Sequence, residues 1–193
     1  MRTNKKVIYI GTTSTGKTSF IKNLIDDFPH PKTLIVDCAE NPEWSTMETY
    51  NHPEWASRKI PIMPLDKLPY HKSGIYHIFS EDTEYLEEMI ANHVINTTLI
   101  IEDATQWYES TLTKNQKKTV LRSKQVNVDY HIIFHTIADV PPRLIRYCDY
   151  VVLFKTGEST YDNKKITSPG FAKAFQEVRD SPDKHIHRII KLK

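Results

Sequence analysis

The chain has 193 residues, 39% of them hydrophobic and 26% charged, which suits one globular domain with a sizeable core. A net charge of +2 is too small to imply a polyanionic partner by itself, so that argument must rest on local clusters. Cys38 and Cys148 are too few and too far apart for a disulfide framework or a zinc motif and read as buried thiols. The basic N-terminus lacks a following signal-peptide core, and no apolar run reaches bilayer-spanning length, so a soluble intracellular protein is expected.

The apolar run Val7–Ile10 reads as a first strand, and Ser19–Ile25 has helical spacing. Between them Gly11–Thr18 reads G-T-T-S-T-G-K-T, which fits G-x-x-x-x-G-K-[ST] in the strand–loop–helix setting that the pattern requires. Of the five glycines in the chain, two lie in this loop. Gly11 permits the sharp turn, and Gly16 lets backbone N–H groups approach phosphate oxygens. Gly11, Thr12, Thr13, Ser14, Thr15, Gly16, Lys17, Thr18 and Ser19 are thus the candidate nucleotide-binding residues. Lys17 would reach the β- and γ-phosphates, and the Thr18 hydroxyl would ligate Mg²⁺.

Thr33–Asp37 reads as a second, buried strand. The proline-rich segment 39–73 lacks periodicity and reads as a long excursion, with Ile60–Met63 as a candidate short strand. The tripeptide Pro-Glu-Trp occurs twice in it, at 42–44 and 53–55. The repeat is either coincidence or a pair of exposed aromatic contacts for a partner.

Further strands are expected at Ile75–Phe79, Thr97–Ile101, Tyr130–Phe134 and Tyr150–Phe154. Helices are expected over Glu81–Val94 with Ser80 as N-cap, over Thr111–Lys124, and over Val140–Arg146 opening at Pro141-Pro142. From Gly157 the alternation changes to a turn, a helix near Phe171–Val178 and a last strand His187–Leu192. The fold class is α/β: a P-loop NTPase domain, RecA/ASCE-like, with a mainly parallel central sheet and helices on both faces. Residues 1–193 read as a single domain, with 39–73 as an excursion and 157–193 as a C-terminal appendage.

The strand Leu99–Ile101 delivers Glu102 and Asp103 to the carboxyl edge of the sheet. There Glu102 would hold Mg²⁺ and Asp103 would polarise an attacking water, a pairing that suggests hydrolysis. No N-K-x-D pattern for guanine is present, so ATP is the preferred nucleotide.

The motifs Gly11–Thr18, T-L-I-I-E-D-A-T-Q at Thr98–Gln106, L-R-S-K-Q-V-N-V-D-Y-H-I-I-F-H-T at Leu121–Thr136 and P-P-R-L-I-R-Y-C-D-Y-V-V-L-F at Pro141–Phe154 resemble the HerA/FtsK superfamily of DNA-translocating ATPases. Within it the chain looks most like small viral genome-packaging ATPases and the zonula-occludens-toxin-like ATPases of phage assembly. The resemblance spans about Val7 to Lys155. It implies a Mg²⁺-dependent ATPase, active as a homo-oligomeric ring of pentamer or hexamer type on double-stranded DNA. The implied setting is the host cytoplasm or the virion, with a capsid vertex or membrane complex as a further partner. It implies a polar sensor at Thr136 or His135, and an arginine that reaches a neighbour's γ-phosphate. Arg122 is the first candidate for that arginine, with Arg143 and Arg146 as alternatives. The chain departs from the family in carrying Glu102 before Asp103, where the family has Asp before Glu, and in having Ile137 after Thr136. The segment 39–73 aligns with nothing in it.

Lys114, Lys117, Lys118, Arg122 and Lys124 form an acid-free basic window, suited either to a DNA backbone or to a solvated helix face. The basic tail Lys184–Lys193 is a second window of this kind. A small nucleotide kinase and a non-catalytic ATP-gated adaptor are the competing readings, and neither an arginine-rich lid nor a zinc ribbon supports the kinase.

Overall fold

The computed structural model describes residues 4–37, 41–162 and 165–192; Cys38 lies outside them. Seven strands, β1 (Lys6–Ile10), β2 (Lys32–Asp37), β3 (Gly74–Ile78), β4 (Thr97–Glu102), β5 (Val128–Phe134), β6 (Tyr150–Phe154) and β7 (His187–Lys191), form one sheet. Its order is β3-β2-β4-β5-β1-β6-β7, with every pairing parallel except the antiparallel β6–β7 edge. The helices are α1 (Lys17–Asp27), α2 (Thr83–His93), α3 (Ala104–Trp107), α4 (Lys114–Arg122), α5 (Pro142–Tyr147) and α6 (Phe171–Asp180). The mainly parallel α/β sheet read from the sequence is thus present.

Successive side chains of each strand point to opposite faces, and both faces are apolar. Ile8, Leu34, Leu99, Ile132 and Val151 pack on the side of α2, α4, α5 and α6. Tyr9, Ile35, Ile100, Ile133 and Val152 pack on the other side with Ile21 and Ile25 of α1. α1 is the α-helix on that second face, and Trp44, Met47 and Ile60 of the 41–73 segment complete its core. Towards the amino ends of the strands this face opens into a hollow of about 700 Å³ bordered by exposed Phe28 and Ile189.

Some local expectations change. The 41–73 segment contains 3-10 turns at Pro42–Ser45, Pro53–Ser57 and Leu65–Tyr70, and Pro42 and Pro53 each open one. Each Pro-Glu-Trp repeat is therefore a turn start, because proline fixes φ and needs no N–H partner at that position. Trp44 is fully buried, so it is not an exposed partner contact, and the half-buried Trp55 stacks on His52 with ring centroids 4.1 Å apart. Ile60–Met63 forms no strand; Ile62 makes a single parallel bridge to His77 between Pro61 and Pro64, which remove ladder donors. The cap of α2 is Asp82, whose carboxylate accepts from the Tyr85 amide at 2.9 Å, while Ser80 instead donates to the Asp82 carbonyl.

α4 is shorter than expected because Thr113 starts it with a full capping box: its hydroxyl accepts from the Gln116 amide, and the Gln116 side chain accepts from the Thr113 amide. The Thr113 hydroxyl also donates to Glu87 of α2 at 2.6 Å, and Gln116 Nε2 donates to the same carboxylate at 2.5 Å. Burial raises the Glu87 pKa against those two hydrogen bonds. Thr113→Val removes both the cap and one bond to Glu87, and should lower the unfolding free energy by about 2 kcal/mol in urea titration.

Candidate nucleotide site

The glycine loop is built by backbone geometry that few residue types allow. Gly16 has φ 91° and Ser14 φ 61°, both left-handed, so the amides turn inward before α1 begins. A Cβ on Gly11 would lie 2.6 Å from Phe154 Cβ, so only glycine fits between β1 and β6. The Thr15 hydroxyl donates to the Thr12 carbonyl at 2.8 Å, and the Thr12 amide donates to the Lys155 carbonyl at 2.9 Å. Thr13 and Ser14 are exposed at the loop tip, with Thr18 and Ser19 half-buried in the first turn of α1. That first turn has no acidic side chain, and Gly16 provides no side-chain cap, so its amides suit an anion.

Lys17 is 5% exposed, and its ammonium donates to the Gly11 carbonyl at 2.6 Å and the Thr12 carbonyl at 2.8 Å. Burial lowers its pKa, opposed by the charges of Glu102, Glu43 and Asp103.

β4 ends at Glu102, beside Asp37 at the end of β2 in the sheet register. Glu102 is 3% exposed, and its Oε2 accepts from Trp44 Nε1 at 3.0 Å. Burial pushes its pKa from 4.5 up to about 7, partly offset by the Trp44 hydrogen bond and the Lys17 charge. Asp103 follows in the left-handed region, φ 44°, at the start of α3. Its Oδ2 accepts from Gln106 Nε2 at 3.0 Å, and its Oδ1 lies 3.5 Å from His135 Nε2.

His135 leaves the carboxyl end of β5, the strand between β4 and β1 in the sheet. Thr136 turns away: its hydroxyl donates to Asp139 Oδ2 at 2.7 Å and accepts from the Asp139 amide. Of the two sensor candidates, His135 is the one that meets an acid of this site.

The candidate arginines are spread apart. Arg122 ends α4 next to the turn that feeds the amino end of β5, and its Nη1 reaches the Ala91 carbonyl at 3.5 Å. β5 has seven residues, so Arg122 sits about 20 Å from the edge that carries Lys17. Arg143 is exposed in the first turn of α5, soon after the carboxyl end of β5, and Arg146 is exposed in its last turn. In the basic window, Lys114 and Lys117 are exposed on α4, but Lys118 is half-buried and donates to Asn92 Oδ1. Lys124 lies beyond the end of the helix, so the window is not one continuous helical face. The described part of the basic tail is β7 and its flanks, at the sheet edge.

Sequence reasoning missed Trp44, Lys22 and Gln106. Lys22 of α1 is 2% exposed; its ammonium donates to the Glu43 and Glu48 carbonyls at 2.5 and 2.8 Å and lies 5.5 Å from the centre of the Trp44 ring. Gln106 stands three residues after Asp103 on a helical turn, a spacing that could have shown the pair.

Neither a family model nor a curated protein sequence matches the chain. Solved structures do. The genome-packaging NTPase B204 from Sulfolobus turreted icosahedral virus 2, in complex with AMP, superimposes with a TM-score of 0.71 at 15% identity, over 100% of this chain and 94% of that one. The same protein in complex with ATP-γS gives a TM-score of 0.67 at 14% identity, over 99% of this chain and 98% of that one. EssC (ATPases 2 and 3) from Geobacillus thermodenitrificans gives 0.55 at 8% identity, over 98% of this chain and 39% of that one. The chain therefore has the α/β P-loop NTPase fold of these proteins.

Proposed function

We propose that the chain is a Mg²⁺-dependent ATPase that works as a ring of identical subunits to move double-stranded DNA, most specifically in viral genome packaging. The observation that carries the catalytic part is the gathering of Lys17, Glu102, Asp103 and His135 at one sheet edge beside an anion-ready loop. The full-length superposition on a viral packaging NTPase supports the motor part.

The residues fit a magnesium ion. Glu102 is a buried carboxylate whose raised pKa reflects a charge that the interior opposes, and a cation there would relieve it. Among the described residues no three acids, histidines or cysteines form a metal cage. Mg²⁺ suits such a place, since it takes most of its ligands from phosphates and water. Thr18 and Glu102 would hold it, and when bound it would offset charge on the β- and γ-phosphate oxygens.

The loop amides and the α1 N-terminus bind the phosphates. Lys17 exchanges its two carbonyl acceptors for the β- and γ-phosphate oxygens, so no ion pair has to break. Asp103, fixed by Gln106 and His135, accepts a hydrogen bond from the water that attacks the γ-phosphorus. An arginine of the adjacent subunit completes the charge on the transferring group. Arg143 remains a candidate beside Arg122, exposed in the first turn of α5. Lys114, Lys117 and Lys124 are the exposed cations of the basic window for the DNA backbone.

Turnover per chain should rise with protein concentration and with double-stranded DNA in a steady-state ATPase assay; a flat, DNA-independent rate would remove the ring motor. Lys17→Ala and Asp103→Asn should each lower kcat by about a hundredfold or more. Arg143→Ala or Arg122→Ala subunits, mixed with Lys17→Ala subunits, should regain turnover if the arginine acts across an interface. Rates that merely average the two variants count against that arrangement.

Glu102 also sets a pH dependence of stability. The folded chain keeps its proton up to about pH 7, whereas the unfolded chain releases it near 4.5. Between those values the folded state binds more protons, so this group's contribution to stability falls as pH rises. Urea midpoints of the protein without added nucleotide should show this slope, and Glu102→Gln should flatten it.

A further inference from the structure

We propose that Trp44 is a positioning residue for Glu102, through which the 41–73 segment takes part in binding metal-loaded nucleotide. The inference rests on the nucleotide-site reading above and assigns that segment a part in it.

Trp44 and Glu102 are 58 residues apart and both buried, and the indole N–H donates to Glu102 Oε2 at 3.0 Å. A buried indole needs an acceptor, but this fold does not enforce that need everywhere: among the described residues Trp107 Nε1 is buried with no hydrogen-bond partner. The partner of Trp44 is moreover the carboxyl group of Glu102 at the nucleotide edge, and the hydrogen bond strengthens when that group is ionised.

The indole is itself held from two sides. Lys22 of the phosphate-loop helix lies against its ring and binds the carbonyls of Glu43 and Glu48 on either side of it in sequence. Asn41 caps the turn by accepting from the Glu43 amide at 3.0 Å, and its own amide donates to Asp37 at the end of β2. The turn is thereby fastened to the loop helix, to β2 and to the acid of β4. Glu102 has one carboxylate oxygen fixed by this turn, which fixes the orientation of the whole planar group. A freely rotating carboxylate would have to be ordered when metal arrives, and the indole has already done so.

The test uses the full chain and a non-hydrolysable ATP analogue, β,γ-imido-ATP, titrated with excess chelator and again with Mg²⁺. Trp44→Phe keeps an aromatic ring, smaller than the indole, and loses the N–H. It should bind the metal-free analogue within about twofold of the wild type and lose about tenfold of the affinity gained with Mg²⁺. Lys17→Ala should lose affinity in both conditions. If Trp44→Phe weakens both conditions alike, or neither, Trp44 only fills the core and the proposal is overturned. A second measurement needs no change at position 44. In a Trp55→Phe/Trp107→Phe chain Trp44 is the sole indole, and its emission should shift with the Mg²⁺-loaded analogue and stay unchanged with the metal-free one. The same emission in all conditions overturns the proposal even if Trp44→Phe fails to fold. Failure of the wild type to bind the analogue at all would instead bring down the nucleotide site itself, and the inference with it.

Discussion

Charge buried at the carboxyl edge of the sheet is the constraint around which the site is arranged. Lys17 is 5% exposed, Lys22 2%, Glu102 3% and Asp37 0%. A buried charge is tolerated only when hydrogen-bonded or paired. Both lysines meet this need with backbone carbonyls: Lys17 with its own loop, Lys22 with the turn that carries Trp44. Carbonyl acceptors hold an ammonium without neutralising it. Lys17 therefore keeps its full attraction for phosphate, while Lys22 ties the 41–73 segment onto α1. A carboxylate partner in either place would have cancelled the positive field that the loop needs.

Topology turns these local solutions into one site. β5 lies between β4 and β1, so the acids and the glycine loop are one strand apart at the same edge. The gap between them receives what leaves the end of β5, namely His135. The strand alternation serves the other purpose of filling two faces, and α1 alone is too short to cover its side. Trp44, Met47 and Ile60 supply the missing core over part of that face. The 41–73 segment is therefore an excursion that also lends side chains to the core.

Much of this was legible in the sequence because the signals are local. Parallel strands of such a sheet are apolar runs, and all seven strands were read from the sequence; the glycine loop declares itself within eight residues. The rest depends on contacts that no local pattern encodes. Trp44 finds its acceptor 58 residues away, and Lys22 looks in sequence like any helical lysine. Arg122 was singled out by its place after the acidic strand and before β5, which does not say at which edge of the sheet it lies. A crossover helix, however, returns the chain to the opposite edge of a parallel sheet, so the last turn of α4 ends at the amino edge.

The order of the two acids, Glu102 before Asp103, also has a backbone cause. The chain leaves β4 by a left-handed residue, Asp103 at φ 44°, to start α3. Among residues with a side chain, Asp and Asn tolerate that region best, while Glu would add about 1 kcal/mol of strain. A turn of this kind selects the short acid at 103, and Gln106 and His135 then hold it in place. The longer acid is left for 102, where its extra methylene lets a residue rooted in the sheet reach the indole of Trp44. The order Glu102-Asp103 and the burial of Trp44 are thus parts of one arrangement: the turn dictates the second acid, and the 41–73 segment is built to meet the first.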